Sequence, residues 1–305
     1  MELGRGAVDG GVLCDAHCHW GGDGGGDGGG GGVPRVVMAT GPRDMALVAG
    51  GHWRYGLGVH PWEAHTVYCG AAGPQSKREH YERVLQPQGA EAGAEVLPQG
   101  VIDELPDPAP LRLLLPLSLD SGSGSTSSGP VCVGEVGLDR ARRLHLHNHT
   151  YRVDIAHQTA VLEHCLLYAR THSLPVSLHV VRCQQLAWEC CTRVLQGSNV
   201  RVMLHSYSGS LQFLQTHWTV SFPGEQLYVS VGPGVSRRLD YTRVPRSSLL
   251  VETDLFLDPS REETIAEADA SLAETIQWLA SQLGEDPSLL SRTIRNNYNT
   301  FYNIV

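Results

Sequence analysis

Five apolar runs that each carry, at or next to their end, a residue able to ligate a metal constrain this chain more than any other feature. They are Val12 to Trp20, which contains Asp15-Ala-His-Cys-His19, then Pro130 to Glu135, Leu174 to His179, Val200 to His205, and Ser248 to Asp254. Continuous apolar runs of this length suit strands buried on both faces, as in parallel sheets covered by helices. In a closed barrel of parallel strands the strand ends gather at one face, where such proteins place their chemistry. A strand alternates its side chains, so the first run is expected to send Asp15, His17 and His19 to one side. Imidazoles and carboxylates converging there suit a divalent cation.

Three further runs complete the pattern. Strands are expected at Arg35 to Thr40, Tyr55 to Val59 and Leu227 to Val231, beside those at Val131 to Val136, Val176 to Val181, Val200 to Leu204 and Leu249 to Thr253. Helices are expected near Arg43 to Val48, Lys77 to Leu85, Tyr151 to Thr171, Gln184 to Leu195, Glu263 to Leu283 and Pro287 to Tyr302. In the third, Ile155, Leu162, Leu166 and Ala169 make an apolar stripe at helical spacing. Eight strands separated mostly by helices predict a (β/α)8 barrel of the TIM type. At 305 residues the chain accommodates one such barrel of about 250 residues with insertions.

Two segments depart from the barrel rhythm. A glycine tract at 21–32 lacks the Gly-Lys-Ser/Thr ending of a phosphate loop and predicts a flexible loop after the first strand. Residues 70–129 are rich in Pro, Gly, Ala and Ser, and predict an insertion that is partly disordered. His145, His147 and His149 alternate in the loop after the fourth strand and read as a solvated loop; without a carboxylate beside them they make a weak second metal trap.

The formal net charge of −9 argues against a surface that holds polyanions everywhere, so any nucleic acid must be gripped locally. Seven of the eight cysteines sit in or beside apolar patterns, as buried reduced thiols do, and no Cys-x-x-Cys pair occurs. No apolar run approaches the ~18 residues needed to span a bilayer, and no signal-peptide core is evident at the N-terminus. The expectation is a soluble intracellular protein, cytoplasmic or nuclear.

Six motifs occur in order, Asp15-Ala-His-Cys-His19, Gly58-Val-His-Pro61, Gly134-Glu-Val-Gly-Leu-Asp139, Leu174-Pro-Val-Ser-Leu-His179, His205-Ser-Tyr-Ser-Gly-Ser210 and Glu252-Thr-Asp254, within a resemblance to one known family that spans Asp15 to near Phe301. Together they resemble the TatD family of metal-dependent deoxyribonucleases, among the amidohydrolase-like barrels, and its fungal TatD-like members most. The resemblance implies two divalent ions, magnesium, manganese or zinc. His17, His19 and Asp254 would hold one, His179 and His205 the other, with Glu135 bridging. Asp254 is the implied general base, and His60 a supporting or phosphate-facing residue. Arg182, Ser206 and Ser208 are candidates for the scissile phosphate. The expected activity is hydrolysis of DNA phosphodiesters, as an exonuclease on single strands. The alternatives are an ester or amide hydrolase on the same barrel, or a catalytically weak scaffold whose insertion at 70–129 docks a protein partner. The chain departs from the family where Val180-Val181-Arg182 follows His179 and where Arg140 follows Asp139.

Overall fold

The computed structural model describes residues 13–21, 32–51, 53–71, 73–89, 96–115, 129–258 and 261–304. Its centre is one parallel sheet. The strands are β1 (Asp15–Trp20), β2 (Arg35–Met38), β3 (Arg54–Leu57), β4 (Cys132–Asp139), β5 (Val176–Val181), β6 (Val202–Leu204), β7 (Leu227–Val231), β8 (Leu249–Val251) and the short β9 (Phe256–Leu257). They are ordered β8-β7-β6-β5-β4-β3-β2-β1-β9. Because β9 continues the run that begins with β8 and pairs with β1, the sheet curls back on itself. Asp254 N–H donates to His17 O at 3.0 Å and His19 N–H to Leu255 O at 2.8 Å, which seals the seam. The (β/α)8 barrel read from the sequence is the fold of the chain.

The helices follow from local chemistry. Helix Ile155–His172 starts at Asp154, whose carboxylate accepts from His157 N–H at 2.9 Å, and Pro287–Phe301 starts at Asp286, with proline in its first turn. The latter closes the barrel floor: Arg295 Nη1 donates to Leu13 O at 2.7 Å, and the buried Tyr302 hydroxyl to Ala16 O at 2.5 Å. All eight cysteines are free, and every one except Cys69 is buried. Burial stabilises them as small apolar side chains.

Two details differ from the sequence reading, and the insertion adds a third feature. Helix Ile155–His172 begins later than Tyr151, because Leu85–Pro87 pairs antiparallel with Tyr151–Val153. A helical run over 211–221, absent from the expected elements, joins β6 to β7. The described part of the insertion is folded: Tyr81, Val84, Leu85, Leu97, Val101, Ile102 and Leu105 form a small core of their own with Leu146 and Tyr151 from the loop after β4. The glycine tract from 22 to 31 and the Ser-Gly run within 116–128 lie outside the described residues.

Candidate metal centre

The barrel's strand ends deliver a cluster of ionisable groups around one carboxylate. Glu135, on β4, is buried, and five imidazoles converge on it. Its Oε2 lies 3.2 Å from His17 Nε2 and 3.4 Å from His19 Nε2. Its Oε1 lies 2.8 Å from His179 Nδ1, 3.4 Å from His60 Nε2 and 3.5 Å from His205 Nε2. Asp254, half exposed at the mouth, sits 3.3 Å from His19 Nε2, 3.7 Å from His205 Nε2 and 3.9 Å from His17 Nε2.

Ligand atoms from three trios gather closely enough to hold an ion: His17, His19 and Asp254; His17, Glu135 and His205; His60, Glu135 and His179. The outer contacts decide which imidazoles offer a lone pair. His19 Nδ1 faces Met38 O at 3.2 Å, and His205 Nδ1 faces the buried Glu252 carboxylate at 2.9 Å. Both partners only accept, so both Nδ1 atoms carry hydrogen and turn Nε2 inward as metal-binding histidines do. Ser177 Oγ holds His17 Nδ1 at 2.9 Å. His60 is oppositely arranged. Its Nδ1 accepts from Trp62 N–H at 3.1 Å, which leaves the proton of its neutral ring on Nε2, 3.3 Å from His179 Nδ1 and 3.4 Å from Glu135 Oε1.

Proton affinities reflect the crowding. Burial opposes the charged form of His205, but Glu252, Glu135 and Asp254 overcome it and push that imidazole up to about 10. His179 is likewise held up to about 8 against burial by Asp139 and Glu135. Asp254 drops to about 2, burial being outweighed by His205 and His19, and Glu135 lies well below the usual range through His60, His17 and His205. At neutral pH the cluster therefore balances two carboxylates with imidazolium groups, a role that cations would take over on binding.

Three of the six non-glycine residues with positive φ among the described residues lie at the same face. Arg182, Ser206 and Asp254, each just past the end of a barrel strand, have positive φ values of 57°, 41° and 58°. Such conformations are costly for side chains with a Cβ and cluster at functional sites. In β4, a side chain at Gly137 (φ 157°) would put its Cβ 1.9 Å from His179 O. Glycine there lets β4 and β5 approach closely enough for Glu135 and His179 to meet.

Asp15 is the exception among the expected group. Rather than joining the cluster it accepts from Thr253 Oγ1 at 2.7 Å and Thr253 N–H at 3.0 Å, and burial pushes its carboxyl up to about 6. A bulge between Asp15 and Cys18 in the pairing with β2 breaks the two-residue alternation that would have aligned it with His17. Asp15 thus ties β1 to the segment that carries Asp254. The three histidines after β4 do not converge: His145 bonds Thr150 Oγ1 at 3.1 Å, and His147 pairs with Glu104 at 3.3 Å.

Beside the cluster opens a cleft of about 570 Å³, lined by His179, Arg182, His205, Ser206, Ser208, Arg238 and Asp254 among others. Arg182, Ser206 and Ser208 thus sit on its wall, whereas His60 lies inside the cluster. Glu252, Asp139 and Arg238 were not singled out from sequence. Asp139 accepts from Trp62 Nε1 at 2.7 Å and lies 3.5 Å from His179 Nε2. The strand-end motifs Glu252-Thr-Asp254 and Gly134 to Asp139 contain two of these residues, and the signal was their position beside a ligand.

The TatD related DNase family matches residues 43–303. The chain belongs to that family. His17 and His19 lie on β1, ahead of the matched span. A Saccharomyces cerevisiae protein described as an uncharacterized deoxyribonuclease is 28% identical over 95% of this chain and 98% of its own. Among solved structures, an uncharacterized amidohydrolase from Saccharomyces cerevisiae superposes with a TM-score of 0.59 at 14% identity, covering 88% of this chain and 89% of that one. A TatD homologue from Escherichia coli gives 0.50 at 20% identity, covering 89% and 87%. These likenesses show the barrel fold, and the donor set of the cluster is consistent with divalent metal use by this TatD-family hydrolase. No helix among the described residues is long and apolar enough to cross a membrane.

Proposed function

We propose that the protein is a divalent-metal-dependent deoxyribonuclease that removes nucleotides from single-stranded DNA ends, with two ions at the cluster. The observation that supports this most is the arrangement itself: two carboxylates among inward-turned imidazoles, opening onto a cleft that carries two arginines. His17, His19 and Asp254 would hold one ion and His179 and His205 the second, with Glu135 between them. His205 is preferred to His60 as a ligand because Glu252 fixes its inward lone pair, while Trp62 fixes a proton on His60 Nε2. Nitrogen and oxygen donors of this kind suit magnesium, manganese or zinc.

When bound, such ions supply Lewis acidity and activate water for in-line displacement at phosphorus. Asp254, ionised and half exposed beside the cleft, accepts the proton of the attacking water. His60 donates from Nε2 to Glu135 and holds that carboxylate in place between the two sets of ligands. Arg182 and Arg238, which have no ion-pair partner among the described residues, can meet phosphate oxygens by charge-assisted hydrogen bonds. Ser206 and Ser208 add neutral donors on the same wall. A site at the base of a cleft takes an unpaired strand end more readily than a duplex, and an acidic chain needs only these local cations to hold it.

Digestion of an end-labelled single-stranded oligonucleotide with added magnesium or manganese tests the reading. Progressive shortening that stops with chelator supports it and shows which end is attacked. No shortening by protein that binds metal overturns it and turns attention to ester or amide substrates.

A further inference from the structure

Phe256 stands exposed at the mouth of the barrel. It is 65% exposed, whereas its neighbour Leu257 is buried. Its backbone is not free to withdraw the ring, since β9 is sealed to β1 on both sides of it, through His19 N–H to Leu255 O and Gly21 N–H to Leu257 O, both 2.8 Å. The ring lies stacked on the imidazole of His19, centroids 4.9 Å apart and planes 26° from parallel, two residues after Asp254. A rigid, exposed aromatic face is thereby fixed beside the cluster.

We propose that Phe256 is the platform on which the base adjoining the scissile phosphate stacks, so that unpaired DNA is held by a ring as well as by phosphate contacts. This rests on the nuclease reading above and specifies how that site takes its substrate. The other exposed aromatic among the large apolar side chains of the described residues, Trp62, is already engaged. Its indole N–H donates to Asp139 at 2.7 Å, and the guanidinium of Arg142 lies over its ring at 4.1 Å. Stacking also answers a difficulty set by composition. A chain of net charge −9 has little general attraction for DNA, and base stacking adds affinity without positive charge or sequence preference. A base still paired in a duplex cannot present its face to Phe256, which selects single strands or frayed ends.

The test compares kcat/KM on end-labelled single strands that carry either a normal base or an abasic sugar at each nucleotide flanking the cleaved bond, with manganese saturating. Wild type should cleave the normal strand about tenfold faster than the strand abasic at one of these positions. Phe256→Ala should shrink that ratio below about twofold, and Phe256→Trp should restore it, with thermal melting used to show that both variants fold. A ring that merely steadies His19 would slow both substrates equally, so a ratio unchanged in Phe256→Ala overturns the proposal while leaving the nuclease standing. A wild-type protein that cleaves neither strand overturns the nuclease reading and this proposal with it.

Discussion

Glu252→Gln isolates the electrostatic work of a residue that touches no ion. Glu252 is fully buried and accepts two hydrogen bonds, from His205 Nδ1 and from Ser206 N–H, both at 2.9 Å. Glutamine preserves the shape but has a single accepting oxygen, so one donor loses it; Ser206 N–H also reaches Ser230 Oγ at 3.2 Å, whereas His205 Nδ1 has only Glu252 among the described residues. An unsatisfied buried donor costs about 1–3 kcal/mol of stability. The larger consequence falls on the cluster, because the carboxylate makes His205 basic and fixes its inward lone pair. Loss of such an outer partner typically weakens metal affinity or activity by about 10–100-fold, or about 1.4–2.8 kcal/mol. Calorimetric titration with manganese, alongside urea denaturation in chelator, separates the two effects. A variant that binds manganese within about twofold of wild type would refute the assignment of His205 as a ligand oriented by Glu252.

Other consequences follow from the same geometry. In chelator, His205 and His179 have folded-state values raised to about 10 and about 8, so their contribution is full below the ordinary imidazole value and is lost as pH climbs through those values. The melting temperature of metal-free protein should therefore fall between about pH 6.5 and 10, while manganese affinity rises over the same range with proton release; scanning calorimetry and titration at several pH values check both, and a melting temperature that rises with pH would contradict the account. Gly137→Ala should cost about 3 kcal/mol in urea denaturation, since its Cβ would collide with His179 O; a variant as stable as wild type would show that β4 and β5 can separate freely. Arg182→Ala and Arg238→Ala should each lower kcat/KM on single-stranded DNA by about tenfold, with the salt dependence of binding shallower by about 0.7 per lost phosphate contact. Unchanged salt slopes would remove both arginines from the phosphate path.

The barrel was legible because its strands are buried on both faces and so read as apolar runs, and because five of them finish on a metal-type side chain at the end where the loops meet. Legibility failed wherever a long-range partner decides the local state. Tyr151 to Val153 can serve as the first turn of a helix until Leu85–Pro87 arrives to pair with it. Asp15 has the right spacing from His17 and His19, but a bulge against β2 and the Thr253 side chain, 238 residues away, take it out of the cluster. His60 and His205 are both histidines just beyond strands; only the atoms on their far nitrogens, a backbone N–H for one and a buried carboxylate for the other, separate their roles. Arg238 comes to the cleft from the loop after β7, and no spacing links it to Arg182.

The central claim is that two ions share Glu135 and that both are needed to cut DNA. Manganese bound per chain, counted in the same samples in which single-strand hydrolysis is measured, tests it most directly. The account predicts two equivalents at saturation, activity that rises with the second, and one equivalent with negligible hydrolysis in a His179→Ala, His205→Ala double variant. Full activity at one equivalent, or hydrolysis that persists when no metal is bound, would contradict it.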